Sequence, residues 1–312
     1  MDIPSRYEIV KPELVDTKAV ADALDVLTGH YEKRTSPAAV ATILNRDGVI
    51  ARWSAGRRTY TDESKLIETS DLFDLASVTK VLATGMLFAC LSEEGRVDLD
   101  VPVFETIPEF VEDGRVTPRA LLAHCGGLPA HVHLYKRLIS REEVIYAVCH
   151  MSLEYQPLSK SLYSDMGYIL LGEVLERTMG CPLNELFRDY VREPIGLHET
   201  VYSPGAKGRD RIVPTEDDQS WRGRLIHGEV HDENASVMRG IAPHAGLFST
   251  VDNVSRFVQL WLNEGTLEDH RYLRTDTVRS FRSKANLDDE GSWALGWDTV
   301  SPGSSTSGRW FS

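Results

Sequence analysis

The spacing of apolar residues along the chain predicts both helices and strands. Residues 17–31 form the first amphipathic pattern, with apolar residues three or four positions apart. Its apolar face consists of Val20, Leu24, Leu27 and Tyr31. Two apolar runs at 39–44 and 49–53 flank a turn that ends in Gly48. They predict a β-hairpin, because glycine tolerates the positive φ that tight turns need.

The middle of the chain is predicted to be mainly helical, because several segments there combine start and stop signals with helical apolar spacing. The first begins at the capping-box sequence 140–143, and the second begins at 163–165 and stops at Gly180. The third begins at Pro182 and stops at Pro194, and the fourth begins at 249–252 and stops at Gly265. A last strand is predicted at 294–300. This order predicts a single α+β domain over 1–312, with an α/β lobe from about 1–76 and 245–312 and a helical lobe from about 77–244.

Ser77 and Lys80 form the most informative pair of polar residues. A short strand-like stretch at 72–75 leads into Ser77 and then into an apolar helical run that reaches Leu91. Residues three apart share a helix face, with Cβ atoms roughly 5–6 Å apart. A serine hydroxyl is a weak nucleophile until a neighbouring base removes its proton, and a lysine amine can be that base. The spacing alone is more often a helix cap with a surface lysine. However, Lys80 lies within an apolar run and no other S-x-x-K occurs in the chain, which favours a nucleophile and its base.

Charge and composition narrow the classes of partner. The chain has 34 basic and 47 acidic residues, a net charge of −13, which argues against nucleic acid or an anionic membrane as a partner. The most apolar window, 72–91, contains Asp74 and Lys80 and is not a membrane span. No signal peptide is visible at the N-terminus, so we expect a cytoplasmic protein, or a periplasmic one if the N-terminus is incomplete. The four widely spaced cysteines predict free thiols rather than disulfides.

Five segments, in order, resemble motifs of the serine β-lactamase and penicillin-binding-protein superfamily. The similarity is greatest to the branch of class C β-lactamases, D-alanyl-D-alanine carboxypeptidases and esterases. The segments are 72–80 around the nucleophile, 121–129, Tyr163-Ser164-Asp165 where the branch has Tyr-x-Asn, 193–197 and 246–250. The resemblance implies an antiparallel sheet flanked by helices, with an inserted all-α lobe.

The same resemblance implies the roles of the site residues. Ser77 would form the acyl-enzyme, Lys80 would accept its proton, and Tyr163 would pass that proton to the leaving group. The backbone N–H of Ser77 would form half of the oxyanion hole. The implied substrate is a small ester or amide, and no cofactor is implied.

Two departures from the family pattern affect this interpretation. Asp165 replaces an asparagine and places a carboxylate close to Lys80, which favours a charged lysine and moves the role of base toward Tyr163. This substitution suggests that esters are better substrates than β-lactams. The third family motif, Lys/His-Thr/Ser-Gly, is not found, so the chain is expected to end before its last strands. His244-Ala245-Gly246 superficially resembles that motif but is expected to lie just before a helix.

Several histidines could suggest a metal site, but none of them has a known ligand spacing. They are His131, His133, His227, His231 and His244. We expect these histidines to hold loops in place, and we expect no metal. His231 and His244 are candidates to support the active site. In the segment 228–235, which resembles a loop near the cleft in one subgroup of the branch, Asp232 or Glu233 could brace a histidine, and a purely structural loop is the alternative.

Three functions therefore remain open from the sequence. The first is a serine hydrolase that acts on a small ester or amide through an acyl group on Ser77. The second is a non-catalytic ligand-binding or penicillin-sensor-like module with the same fold, which Asp165 and the missing third motif would favour. The third is a D-alanyl-D-alanine carboxypeptidase, which would need a periplasmic address. The sequence makes no prediction of the oligomeric state.

Overall fold

The computed structural model describes residues 5–31, 33, 36–110, 113–205, 208–285, 287 and 291–301. The strands in this part of the chain are β1 Ser5–Ile9, β2 Ala38–Asn45, β3 Gly48–Gly56, β4 Phe73–Asp74, β5 Val201–Tyr202, β6 Glu216–Asp218, β7 Arg224–Ile226, β8 Leu247–Ser249, β9 Thr266–Leu267 and β10 His270–Arg271. The α-helices are α1 Thr17–Tyr31, α2 Met86–Glu93, α3 Val103–Thr106, α4 Pro118–Leu122, α5 Arg141–Cys149, α6 Asp165–Met179, α7 Leu183–Phe187, α8 Glu193–Ile195, α9 Glu233–Val237, α10 Val251–Leu262 and α11 Thr275–Arg282. Residues 302–312, at the end that was expected to fall short of the last strands, lie outside the described residues.

The largest sheet is antiparallel with the order β1-β3-β2, and it confirms the predicted hairpin. Gly48 begins β3 with a φ of +120°, as the predicted turn requires. Helix α1 covers one face of this sheet, where Leu24 packs with Trp53. On the other face, Thr42 contacts Ser255 of α10 at 2.7 Å between the hydroxyl oxygens. The predicted bounds of α1 are confirmed, but its predicted apolar face is wrong at Leu27, which is 37% exposed.

A second, smaller sheet with the order β4-β8-β5 carries the nucleophile region. The Leu75 N–H donates to the Leu247 carbonyl at 2.8 Å, and the Leu247 N–H donates to the Thr79 hydroxyl at 3.2 Å. The Thr84 hydroxyl donates to the Pro243 carbonyl at 2.7 Å. The segment 243–247 is therefore fixed against the helix that follows Ser77. The expectation that 244–246 leads directly into a helix is wrong, because strand β8 comes first.

The helix after Ser77 is buried but not regular. Its first part, Lys80–Gly85, is a π-helical turn, and α2 continues from Met86. Val78, the first apolar residue of the run predicted to follow Ser77, is 48% exposed because it lies before this buried turn. Helix α6 begins and ends as predicted, with Ser164 as its N-cap and Gly180 as its left-handed C-cap at a φ of +64°.

A predicted helix end and a predicted strand differ from the structure. Pro194 does not end its helix. It lies in α8, which follows a π-helical turn at Arg188–Arg192 without leaving helical backbone angles, and the helix ends at Gly196, which has a φ of +75°. The segment 294–300 is not a strand. It is a tight turn in which the Ala294 N–H donates to the Trp297 carbonyl at 2.8 Å and Trp293 pairs with Asp298.

The predicted division into an α/β lobe and a helical lobe stays a prediction. Among the described residues, no helix is both long enough and apolar enough to cross a lipid bilayer.

Candidate active site

Ser77 lies on a tight turn between β4 and the buried helix. Ala76, just before it, has a φ of +45°, a left-handed conformation that is unusual for alanine and that the Asp74 carboxylate stabilises by accepting the Ala76 N–H at 2.8 Å. The turn leaves Ser77 exposed to solvent. Within the described part of the chain, the Ser77 N–H makes no hydrogen bond, so this donor is available to a bound oxygen atom.

Lys80 is buried directly beneath Ser77, with only 2% of its surface exposed. Its Nζ donates to Ser77 Oγ at 3.0 Å and to the His244 carbonyl at 3.1 Å, and it forms an ion pair with Asp165 Oδ1 at 2.7 Å. An ammonium group has three protons and needs partners when it is buried. These three oxygen atoms therefore suit the charged form of Lys80, which can donate one proton to each of them.

Asp165 connects Lys80 to a histidine at the edge of the site. Its Oδ2 atom is 3.0 Å from Nδ1 of His131. Burial would raise the pKa of Asp165, but Lys80, His244 and His131 outweigh burial and hold this pKa below its ordinary value. The predicted closeness of the Asp165 carboxylate to Lys80 is confirmed, whereas the contact with His131 was not predicted.

Tyr163 contacts Lys80 through its ring rather than its hydroxyl. The Lys80 Nζ atom lies 4.8 Å from the centre of the Tyr163 ring, a cation–π distance. The Tyr163 hydroxyl makes no hydrogen bond to any described residue. The ring centres of His124 and Trp293 lie 4.6 Å and 5.6 Å from that of Tyr163, and this packing sets its orientation. The hydrogen bond expected of a proton shuttle is therefore not formed in this structure.

His124 holds the segment that carries Tyr163 and Asp165. Its Nδ1 atom accepts the Ser164 N–H at 3.0 Å, and its carbonyl accepts the Leu162 N–H at 2.9 Å. Burial, with a smaller effect of the Lys80 charge, lowers the pKa of His124 to about 3, so its ring is neutral. The sequence reasoning included His124 in a family motif but gave it no role.

His244 supports the site through its backbone, since its carbonyl rather than its ring contacts Lys80. The ring is 1% exposed, and its Nε2 atom lies 3.0 Å from Asp232 Oδ1. Asp232 also caps α9 by accepting the Ala235 N–H at 2.7 Å. Burial would raise the pKa of Asp232, but its contacts with His244 and the Ala235 N–H outweigh burial and lower it. Asp232 is thus the residue of the 228–235 loop that braces a histidine.

The side chain of His231 bonds to neither Ser77 nor Lys80. Its backbone N–H donates to Asp74 Oδ2 at 2.7 Å, and its Nε2 atom lies 2.6 Å from Glu216 Oε2. Burial raises the pKa of Asp74 even though it accepts two backbone N–H groups, those of His231 and Ala76. His231 therefore supports the nucleophile turn indirectly, through Asp74.

Among the described residues, no group of three or more histidine, cysteine or acidic side chains is arranged to hold a metal ion. No disulfide joins the four cysteines, all of which lie in the described part of the chain.

Comparison with known proteins identifies the class. Residues 22–312 match the family described as Beta-lactamase, so the chain belongs to this family of the serine β-lactamase and penicillin-binding-protein superfamily of hydrolases. A relative from Escherichia coli (strain K12) with the provisional name D-alanyl-D-alanine carboxypeptidase is 32% identical over 295 residues, which cover 84% of this chain and 68% of the relative. Another, the N-acetylmuramyl-L-alanine amidase of Bacillus subtilis (strain 168), is 30% identical, with 84% of this chain and 66% of the relative covered. Other curated relatives are covered over only 59% of their length.

Solved structures share the fold. EstCE1, a hydrolase with promiscuous acyltransferase activity, has a TM-score of 0.73 at 19% identity, covering 91% of this chain and 84% of EstCE1. The octameric penicillin-binding protein homologue from Pyrococcus abyssi has a TM-score of 0.71 at 19% identity, covering 88% of this chain and 64% of the homologue. The predicted superfamily and α+β fold class are confirmed.

Proposed function

We propose that the protein is a serine hydrolase that forms an acyl-enzyme on Ser77 and hydrolyses a small ester or amide. One observation carries this proposal. The hydroxyl of Ser77 is exposed to solvent, and the nitrogen of a buried lysine lies 3.0 Å behind it. An ordinary surface lysine would be exposed to solvent, whereas Lys80 is only 2% exposed.

The reaction proceeds in two steps. Ser77 Oγ attacks the carbonyl carbon of the substrate, its proton passes to the neutral amine of Lys80, and a tetrahedral oxyanion forms that the free Ser77 N–H can bind. The intermediate collapses, the leaving group takes up a proton, and an ester remains on Ser77 until water hydrolyses it. Because Lys80 holds all three of its protons in the resting arrangement, it must lose one before it can accept a proton from Ser77.

The test compares the hydrolysis of a p-nitrophenyl ester by the wild type and by Ser77→Ala. The proposal predicts a burst of one p-nitrophenolate per chain and then steady turnover in the wild type, and neither in the variant. Ser70→Ala, which removes the hydroxyl of another exposed serine, is the matched control and should behave as the wild type. Equal rates for the wild type and Ser77→Ala would contradict the proposal.

The ion pair between Lys80 and Asp165 supports a preference for esters over β-lactams. An asparagine amide can donate a hydrogen bond to an amide-bearing substrate, whereas the Asp165 carboxylate accepts bonds only and is already engaged by Lys80 and His131. Wild type should therefore turn over a p-nitrophenyl ester faster than a cephalosporin, and Asp165→Asn should shift the ratio toward the cephalosporin. Faster cephalosporin turnover by the wild type would contradict this preference.

A D-alanyl-D-alanine carboxypeptidase is the second candidate, and the name of the Escherichia coli relative favours it. It predicts release of D-alanine from a peptide that ends in D-alanyl-D-alanine, at a rate above that of ester hydrolysis. A cytoplasmic location, which stays a prediction, would favour the ester.

A non-catalytic binding module is the third candidate, and the ion pair between Lys80 and Asp165 favours it, since a charged lysine cannot accept the proton of Ser77. This candidate predicts ligand binding, or stoichiometric acylation of Ser77, without turnover.

A further inference from the structure

We infer that His131 is the alternative counter-ion of Asp165, which lets Lys80 become a neutral amine and accept the proton of Ser77. This inference rests on the proposed function, because it explains how the lysine of that site can act as a base. His131 touches neither Ser77 nor Lys80 in this arrangement, and it acts through Asp165, so it is a positioning residue.

The need for a second cation follows from the contacts of Lys80. Its three partners are a hydroxyl oxygen, a carbonyl oxygen and one carboxylate oxygen, at 3.0, 3.1 and 2.7 Å from Nζ. Only the carboxylate of Asp165 carries a charge, so it is the group that holds Lys80 in its ammonium form. If Lys80 lost its proton with nothing else changed, Asp165 would be left as a nearly buried anion without a counter-ion, which is costly.

His131 is placed to remove that cost. Its Nδ1 atom is 3.0 Å from Asp165 Oδ2, whereas Lys80 Nζ lies 2.7 Å from Oδ1. An imidazole that gains a second proton becomes a cation while it keeps its Nδ1–H directed at the carboxylate. Asp165 then remains paired while Lys80 is neutral, and a cation near Lys80 further favours the neutral amine.

Solvent exposure rises outward through the three groups. The side chain of Lys80 is 3% exposed, that of Asp165 13% and that of His131 35%. Burial penalises a charge on Lys80 far more than a charge on His131, which opposes the higher intrinsic basicity of an amine. No described residue bonds to the Nε2 atom of His131, so this nitrogen can exchange protons with water.

The proton balance closes without any other reactant. In the resting form, Lys80 carries three protons on Nζ and His131 carries one on its ring. In the reactive form, Lys80 Nζ has lost one proton to water and His131 Nε2 has gained one from water. The two side chains together therefore hold the same number of protons in both forms. The Ser77 Oγ–H bond then breaks as Oγ bonds to the acyl carbon, Nζ takes that proton and later gives it to the leaving group.

Two other histidines lie near this pair, and neither is hydrogen-bonded to Asp165. The ring centre of His133 lies 5.0 Å from that of His131, and no hydrogen bond joins His133 to Asp165. Asp232 and His244 pair with each other at 3.0 Å. His131 is therefore the cation that can replace Lys80 at Asp165.

The test uses the charge of the substituent at position 131. Arginine supplies a permanent cation but cannot accept a proton at neutral pH, whereas asparagine can only keep a hydrogen bond to Asp165. We expect His131→Asn to lower the rate of Ser77 acylation by a p-nitrophenyl ester about 10- to 100-fold. His131→Arg should stay within about threefold of the wild type. His133→Asn is the matched control and should leave the rate unchanged.

A second readout does not depend on catalysis. The ¹⁵N signal of Lys80 Nζ, assigned with Lys80→Met, reports the fraction of neutral amine at a fixed pH. This fraction should fall in His131→Asn and be retained in His131→Arg. Equal acylation rates and equal neutral fractions in the two variants would overturn the inference while leaving acylation of Ser77 intact. If the wild type is not acylated, the proposed function fails and the ¹⁵N measurement alone decides the inference.

Discussion

Two acidic residues flank Lys80, and they support it in different ways. On one side, Asp165 touches the lysine nitrogen directly, and its second oxygen atom faces a half-exposed histidine. On the other side, Asp232 pairs with the buried ring of His244, and only the His244 carbonyl reaches the lysine. The Asp165 side sets the charge next to the nucleophile, whereas the Asp232 side sets the position of the backbone.

Both acids are placed at helix N-termini, but the caps differ. Ser164 caps α6, which leaves Asp165, the first residue of that helix, free to contact Lys80. Asp232 is itself the cap of α9, so its carboxylate is shared between the helix and His244. We therefore expect substitutions on the Asp165 side to change mainly the reactivity of Ser77, and substitutions on the Asp232 side to change mainly the stability of the fold.

The largest expected effect is the loss of activity in Lys80→Met. Removing the base should lower kcat/KM for a p-nitrophenyl ester by about 1,000-fold, since general base catalysis contributes about 10²- to 10⁴-fold. Lys18→Met, which removes an exposed lysine of α1, should have no effect. A Lys80→Met activity within tenfold of the wild type would show that Lys80 does not activate Ser77.

The Asp232 side is tested by Asp232→Ala. We expect the free energy of unfolding, measured with urea, to fall by about 3 kcal/mol, because a helix cap is lost and a buried histidine loses its partner. Asp232→Asn keeps the cap and should lose less. Activity at a temperature where the variant is folded should fall far less than in Lys80→Met. A loss of stability below about 1 kcal/mol in Asp232→Ala would contradict the structural role of this pair.

The pH dependence of stability tests His124, which holds the Asp165 side in place. Its pKa is about 3 in the folded protein, against an ordinary value of 6.5, so the unfolded chain binds this proton more readily. Its contribution is therefore complete above pH 6.5 and is lost as the pH falls toward 3. Between pH 7 and 5 the loss should be about 2 kcal/mol.

Urea unfolding of the wild type and of His124→Asn at pH 7 and pH 5 isolates this contribution from the other histidines. The variant should be less stable at pH 7 but lose about 2 kcal/mol less between the two pH values. The lowered pKa values of Asp165 and Asp232 affect stability only at more acidic pH, since their contributions are lost as the pH falls below the ordinary range of a carboxyl group. An equal loss in both proteins would mean that His124 is not held neutral by burial.

The smallest expected effect is that of Ser164→Ala. The Ser164 hydroxyl accepts the Gly167 N–H at 3.1 Å and donates to the Pro129 carbonyl at 2.6 Å. Its loss should cost about 1 kcal/mol of stability in thermal unfolding. Ser140→Ala, which removes the cap of α5, should cost a similar amount without changing activity. Equal activity of Ser164→Ala and Ser140→Ala would show that the position of the α6 N-terminus does not matter for the site.

The parts of the fold that neighbouring residues determine could be predicted from the sequence. The bounds of α1 and the turn at Gly48 follow from apolar periodicity and from glycine, and both are present in the structure. The closeness of Ser77 to Lys80 also follows from spacing on one helix face. Family resemblance then selected this pair from the other polar pairs in the chain.

Contacts between distant parts of the chain could not be predicted in this way. Lys80 and the His244 carbonyl are 164 positions apart, and Asp74 and the His231 N–H are 157 positions apart. No local period marks such contacts, because they depend on how β4 and β8 pair. The apolar run at 294–300 looked like a strand, yet its Gly296 N–H donates to the Leu122 carbonyl at 3.0 Å and the segment packs as a turn beneath the site.

The central claim is that Ser77 is the nucleophile, and intact-mass measurement after reaction with a fluorophosphonate tests it most directly. The account predicts one adduct on the wild type, located at Ser77 by peptide mapping, and none on Ser77→Ala. An unmodified wild type, or an adduct that persists in Ser77→Ala, would contradict it.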